Sequence, residues 1–213
     1  MTRAYNELYI DDAMSCMGEM LDYAVCDLGY DPDEFFSWFI ASGIAGCFER
    51  GNPRYVTGMS GFELAGEVLF RIKGERPETA PSQPDSCSPE YWAGWVMAYY
   101  QWYRDVRFAH MVDHGLTASK VLSMYILHEA DVSKFAAEAD ALIQRSKAVR
   151  PTSLQRIRKA AGMTQKALAE ASGVTLRMIQ LYEQRQNDIA SAQFSTVMHL
   201  AKALGCSAEA LVE

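Results

Sequence analysis

Apolar residues recur at three-, four- and seven-residue steps along most of the chain, and no stretch alternates long enough to demand a strand. The fold expected is all-α. Leu8, Met14, Met17, Leu21, Ala24 and Leu28 form one stripe of a helix over residues 5–28, which Gly29 closes. Asp31, Pro32, Asp33 and Glu34 read as a cap, a first-turn proline and first-turn acids. The helix they open is predicted to run through Phe35, Trp38, Phe39 and Ile44 to about Arg50, where Gly51-Asn52-Pro53 breaks it. A shorter helix over 61–73 follows Ser60. Residues 74–88 hold three of the seven prolines and form an exposed connector. Ser88-Pro89-Glu90 restarts a helix to about Val112, and Gly115 ends it. Thr117 or Ser119 caps the next, through Leu122, Tyr125, Ile126 and Leu127, and a further helix covers 132–148. Pro151 then breaks the pattern and sets a domain boundary: a larger helical domain over 1–149 and a smaller one over 150–213.

In the smaller domain, Leu154, Ile157 and Ala161 line one face of a helix that stops at Gly162. Thr164 caps a helix over 165–172, with Leu168 and Ala169 inward. Gly173 supplies a left-handed turn residue, and Thr175 caps a helix to Gln184, with Ile179 and Tyr182 inward. Two short helices joined through a glycine turn make a helix-turn-helix pattern. Segments 194–204 and 207–212 would complete a five-helix globule.

Arg158, Gly162-Met163-Thr164-Gln165, Leu168-Ala169, Ser172-Gly173-Val174-Thr175, Ile179, Tyr182-Glu183 and Leu200-Ala201-Lys202-Ala203-Leu204-Gly205 stand in register over about 60 residues. By these residues the segment resembles the Cro/phage-repressor-like (XRE) helix-turn-helix family. The resemblance implies a double-stranded DNA operator as partner. It places Gln165 on a backbone phosphate, with Lys166 beside it. It aims Thr175, Leu176 and Arg177 into the major groove, with Gln180 one turn on, Leu181 at the edge and Gln184 at the end of the recognition helix. Arg177 suits guanine or phosphate, and Leu176 a thymine methyl. Arg158 and Glu183 correspond to an ion pair between helices with a scaffold role. Two departures stand out. Arg185 occupies a position where the family commonly has glycine, and it is expected to gain a phosphate contact. The loop Gln186–Ala192 replaces Pro-Ser and is longer than the family's.

The net charge of −7 speaks against nucleic acid until it is divided. Residues 1–149 hold 12 Lys+Arg against 22 Asp+Glu, a net of −10, whereas 150–213 hold 8 against 5, a net of +3. A homodimer would double that modest basic face. The composition, 49% hydrophobic and 22% charged, is that of an ordinary globular protein and excludes bulk disorder. No signal or transit peptide and no membrane span is readable, and five cysteines without a CxxC read as reduced thiols, so a cytoplasmic location is expected.

One helix concentrates Tyr91, Trp92, Trp95, Tyr99, Tyr100, Trp102 and Tyr103. No Lys or Arg lies within 89–103, which argues against base stacking. Core packing is one reading. The other is a protein-partner surface made by Trp92, Trp95, Tyr99, Trp102 and Tyr103. His110 and His114 share a helix face without a third ligand, and His128 stands alone, so neither a metal nor a cofactor is expected. With no nucleophile constellation or phosphate loop in view, an enzyme carrying a DNA-binding domain ranks third. A transcriptional regulator, most simply a repressor, ranks first. The antitoxin of a toxin–antitoxin pair ranks second, its acidic domain neutralising a toxin and its basic domain repressing the operon.

Overall fold

The computed structural model describes residues 3–82 and 88–212, and every element in them is helical. The chain divides into two compact units, Met1–Gln144 and Arg145–Glu213.

Helix α1 (Ile10–Asp22) is the axis of the larger unit. Ala13, Met14, Cys16, Met17, Met20 and Leu21 are all in the core, so α1 is covered on several sides rather than along one stripe. It continues into a π-helical segment, Tyr23–Asp27. Leu8, counted in the stripe, is 84% exposed. It lies in a 3-10 turn ahead of α1, whose tighter winding carries the side chain off the buried face.

The predicted helix over 31–50 is two helices, α2 (Pro32–Ala41) and α3 (Ile44–Glu49). Gly43 stands between them at φ 77°, a left-handed conformation that ends one helix and turns the chain into the next. The Asp31 carboxylate caps α2 by accepting the Asp33 and Glu34 N–H groups. The predicted break at 51–53 contains a short helix instead, α4 (Pro53–Val56), capped by Asn52. Helix α5 (Gly61–Lys73) opens with a capping box between Ser60 and Glu63.

Helix α6 (Pro89–Arg104) ends eight residues before Val112, and Asp105 follows it with a φ of 50° that breaks the run ahead of α7 (Phe108–Asp113). Thr117, not Ser119, caps α8 (Ala118–Leu122), and a 3-10 turn over Tyr125–Glu129 precedes α9 (Val132–Val149). The α1–α6 contact is close because Gly94 permits it. A Cβ there would fall 2.1 Å from the Met17 carbonyl oxygen. Phe36, Phe39, Phe48 and Phe108 fill the other side of this core, mostly edge to face at centroid distances of 5.6–6.2 Å.

The smaller unit holds α10 (Ser153–Ala160), α11 (Gln165–Ser172), α12 (Leu176–Glu183) and α13 (Phe194–Leu204). Leu154, Leu168, Ile179, Tyr182, Ile189, Val197, Leu200, Ala201 and Leu211 form its core. Ala161 is exposed, because α10 ends at Ala160 and the chain has already left the helical face. The terminal segment forms only a 3-10 turn, Glu209–Leu211, which still buries Leu211.

Candidate nucleic-acid interface

The geometry of α11 and α12 is set by small local devices. Thr164 caps α11 by accepting the Ala167 N–H, and Gly173 leaves it at φ 72°. The Ser172 hydroxyl donates to the Leu168 carbonyl at 2.7 Å and accepts the Val174 N–H at 3.2 Å, which ties the turn together. Thr175 then caps α12 by accepting the Met178 N–H. With Ile179 and Tyr182 held in the core, the opposite, N-terminal side of α12 faces solvent.

That side presents Thr175, Leu176 and Arg177, all exposed, and Leu176 keeps 39% of its surface. Among the described residues the Arg177 guanidinium has no polar partner. Gln180 and Leu181 are half-buried on the flank, and Gln184 is exposed just beyond the helix. Lys166 is exposed at the start of α11, 4.0 Å from Glu170.

Beneath this surface lies a buried polar clasp. Arg158 meets Glu183 through Nε at 2.6 Å and Nη2 at 2.9 Å, and Nη1 donates to the Met163 carbonyl at 2.6 Å. The two side chains are 8% and 2% exposed. The Glu183 carboxylate, hydrogen-bonded to it, holds the Arg158 guanidinium even more firmly protonated than usual. Gln165 joins the clasp: its Nε2 donates to Glu183 Oε2 at 2.8 Å. The Gln165 side chain thus turns inward, with one of its two amide hydrogens committed.

Arg185, expected to gain a phosphate contact, already makes hydrogen bonds within the fold. It adopts φ 56°, and its guanidinium donates from Nε to the Lys147 carbonyl at 2.8 Å and from Nη2 to the Arg150 carbonyl at 3.1 Å. Lys147 lies in the last turn of α9, whose carbonyls have no partner within the helix, and Arg150 directly follows the helix; a guanidinium is drawn to this end. The longer loop after Arg185 is taken up by a 3-10 turn, Ile189–Ser191, whose Ile189 packs into the core. A groove of about 550 Å³ beside these residues is lined in part by Arg150, Gln155, Lys159, Gln184 and Arg185. The sequence reading passed over Gln155 and Lys159, because no spacing rule links α10 to the end of α12.

In the larger unit the aromatic helix splits into two classes. Trp102 is 5% exposed and its Nε1 donates to the Tyr5 carbonyl at 2.9 Å. It belongs to the core, not to a partner surface, since burial without that bond would strand its N–H. Tyr99 and Tyr103 are half-buried and stacked at 5.4 Å. Trp92 and Trp95 are half-buried and line a cavity of about 570 Å³.

The ring centroids of His110 and His114 lie 4.1 Å apart, and His114 Nδ1 lies 2.9 Å from the His110 carbonyl oxygen. His128 stacks on Tyr125. Asp22, Cys26 and Glu90, not singled out in the sequence, bring ligand-type atoms within 4.8 Å of one another. Asp22 there already accepts from Ser88 Oγ at 2.6 Å. Burial and the Asp22 and Glu90 carboxylates push the Cys26 thiol up to about 12, and burial first, then Glu19, does the same to Cys16. Cys16, Cys26, Cys47 and Cys206 are free thiols, and Cys87 lies outside the described residues.

Among the described residues no helix is long and apolar enough to cross a membrane. Neither a curated protein nor a solved structure matches the chain. Residues 154–211 match the helix-turn-helix family. Residues 154–211 are thus a helix-turn-helix domain of the Cro/C1 (XRE) type, which suggests DNA binding, and the larger N-terminal region is assigned to no family.

Proposed function

We propose that the chain is a transcriptional regulator, a repressor that lays α12 in the major groove of a double-stranded operator. The observation that carries this reading is the solvent-facing start of α12, where Thr175, Leu176 and an uncommitted Arg177 stand together. An exposed guanidinium can read guanine bidentately, and the exposed Leu176 can meet a thymine methyl. Gln180 and Leu181 extend this face. Lys166 and Gln184 supply backbone contacts at either end, and Gln165 adds one through its second amide hydrogen. Arg185 has no part in this proposal, since backbone carbonyls hold its guanidinium. A homodimer offers two basic faces against the −10 of residues 1–149.

The test is binding of the full chain to fragments of its own genomic DNA across a salt series. Arg177→Ala is expected to weaken specific binding by about 1–3 kcal/mol while leaving unfolding unchanged. Lys166→Ala is expected to weaken all sequences alike and lower the salt slope by about one. Salt-insensitive binding, indifferent to Arg177→Ala, would refute the groove assignment. A stoichiometric protein that copurifies with the chain and is inhibited by it would move the reading to an antitoxin.

A further inference from the structure

We propose that the cavity between α6, the Tyr125–Glu129 turn and the start of α9 is a binding site for a small hydrophobic organic cation. This inference concerns the larger unit alone and needs nothing from the DNA-binding reading.

The cavity measures about 570 Å³, within the range of small-molecule sites. Its walls are aromatic: Tyr91, Trp92, Trp95, His128 and Phe135 all line it. The rings brace one another rather than fill the space. Trp92 meets Tyr125 and Phe135 edge to face, each at 5.7 Å, and His128 lies flat on Tyr125 at 4.2 Å. A half-open aromatic box is therefore present without a ligand.

The charge of the ligand follows from a comparison with several other aromatic rings of this unit. Arg3 covers Trp102 at 4.6 Å and Tyr103 at 4.1 Å. Lys73 covers Tyr30 at 4.3 Å and Trp38 at 4.1 Å, and Arg76 lies over Phe70 at 5.3 Å. The negative faces of those rings are met by the protein's own cations. Among the described residues no Lys or Arg stands over Tyr91, Trp92 or Trp95, and none lines the cavity.

Acids adjoin it instead. Glu129 follows the lining residue His128 and is 81% exposed. Asp131 sits between the lining residues Ala130 and Val132. Hydrogen bonds from Ser133 keep the Asp131 carboxyl below its ordinary range, so it is anionic at neutral pH. Its field reaches α6, where it adds to burial in raising the Tyr99 hydroxyl. An anion would meet ring faces and two neighbouring carboxylates, with His128, 3.9 Å from Glu129, as the one lining side chain that could offset them. A cation with an apolar body satisfies both the rings and the acids.

The test uses the full chain, with calorimetry and tryptophan fluorescence as readouts and benzyltrimethylammonium as probe. Neopentylbenzene is its neutral isostere, and 4-tert-butylbenzoate is an anion of similar size. The expected result is saturable one-to-one binding of the cation, about ten-fold or more tighter than the neutral isostere, with the anion weaker still. Trp95→Phe keeps an aromatic wall with a weaker face and should loosen the cation several-fold. Asp131→Asn preserves the cap on Ser133 and should loosen it less. Trp95→Leu should abolish the preference for charge; if that variant fails to fold, the other two decide. No saturable binding in the millimolar range, equal affinity for cation and neutral isostere, or indifference to both Trp95→Phe and Asp131→Asn would each overturn the proposal.

Discussion

The larger unit surrounds α1 with Met17, Met20, Leu21, Phe35, Phe36 and Phe39, and buries few polar side chains, Asp22 and Gln101 among them. The smaller unit closes a modest apolar core over a fully paired Arg158–Glu183 clasp, with Thr152 and Ser172 also buried. The difference reflects size. A short chain has little apolar surface to remove from water, so directional polar contacts must fix the angles between its helices. They also serve the surface. The clasp joins α10, the start of α11 and the end of α12, so it aims the exposed end of α12 without occupying it.

The largest test of this contrast is Glu183→Ala. It leaves the Arg158 charge buried without its partner, at about 3–5 kcal/mol, enough to unfold a small domain. All four tryptophans lie in the larger unit, so fluorescence follows that unit alone. Circular dichroism should lose helix at low denaturant while the fluorescence transition holds its midpoint. Movement of both together would break the contrast.

Gly94→Ala is the reverse experiment. Its new methyl would meet the Met17 carbonyl, a backbone atom that cannot step aside. A loss at or above the upper end of about 1–3 kcal/mol is expected, seen in the fluorescence midpoint. Thr175→Ala removes the cap of α12 and should cost the smaller unit about 1 kcal/mol, read by circular dichroism.

The smallest effect concerns Glu49. Burial raises its carboxyl above the ordinary value, against the pull of the Phe108 N–H and of Arg107 and Arg50. A raised folded-state value favours folding while the group is protonated, and that contribution is lost as pH rises through it. Charged Glu49 therefore opposes folding at neutral pH. Glu49→Gln, which can still accept the Phe108 N–H, should give a small gain at neutral pH in urea melts. It should also flatten the pH dependence from the ordinary Glu range upward.

Much of the helix-turn-helix region was legible because its signals are local. Thr164, Gly173 and Thr175 act through hydrogen bonds and dihedral angles spanning four residues, so spacing alone exposes them. Helix ends inside the larger unit were less legible. Gly43 and Asp105 interrupt apolar runs whose periodicity continues on both sides, and a stripe does not show whether its helix bends away. Leu8 and Ala161 failed for a related reason: each sits one or two residues beyond the end of the helix whose face it was assigned to.

Local chemistry in the chain settled the all-helical character, most of the caps and the helix-turn-helix pattern, since these depend on neighbours within a turn or two. Packing settled what no spacing rule reaches. It sent Trp102 to the core and left Trp92 and Trp95 on a cavity, although all three stand on one helix. It also drew the Arg185 guanidinium onto the carbonyls of Lys147 and Arg150. In both cases the partners are far apart in sequence, and burial or an orphaned carbonyl becomes visible only when the chain has folded back on itself.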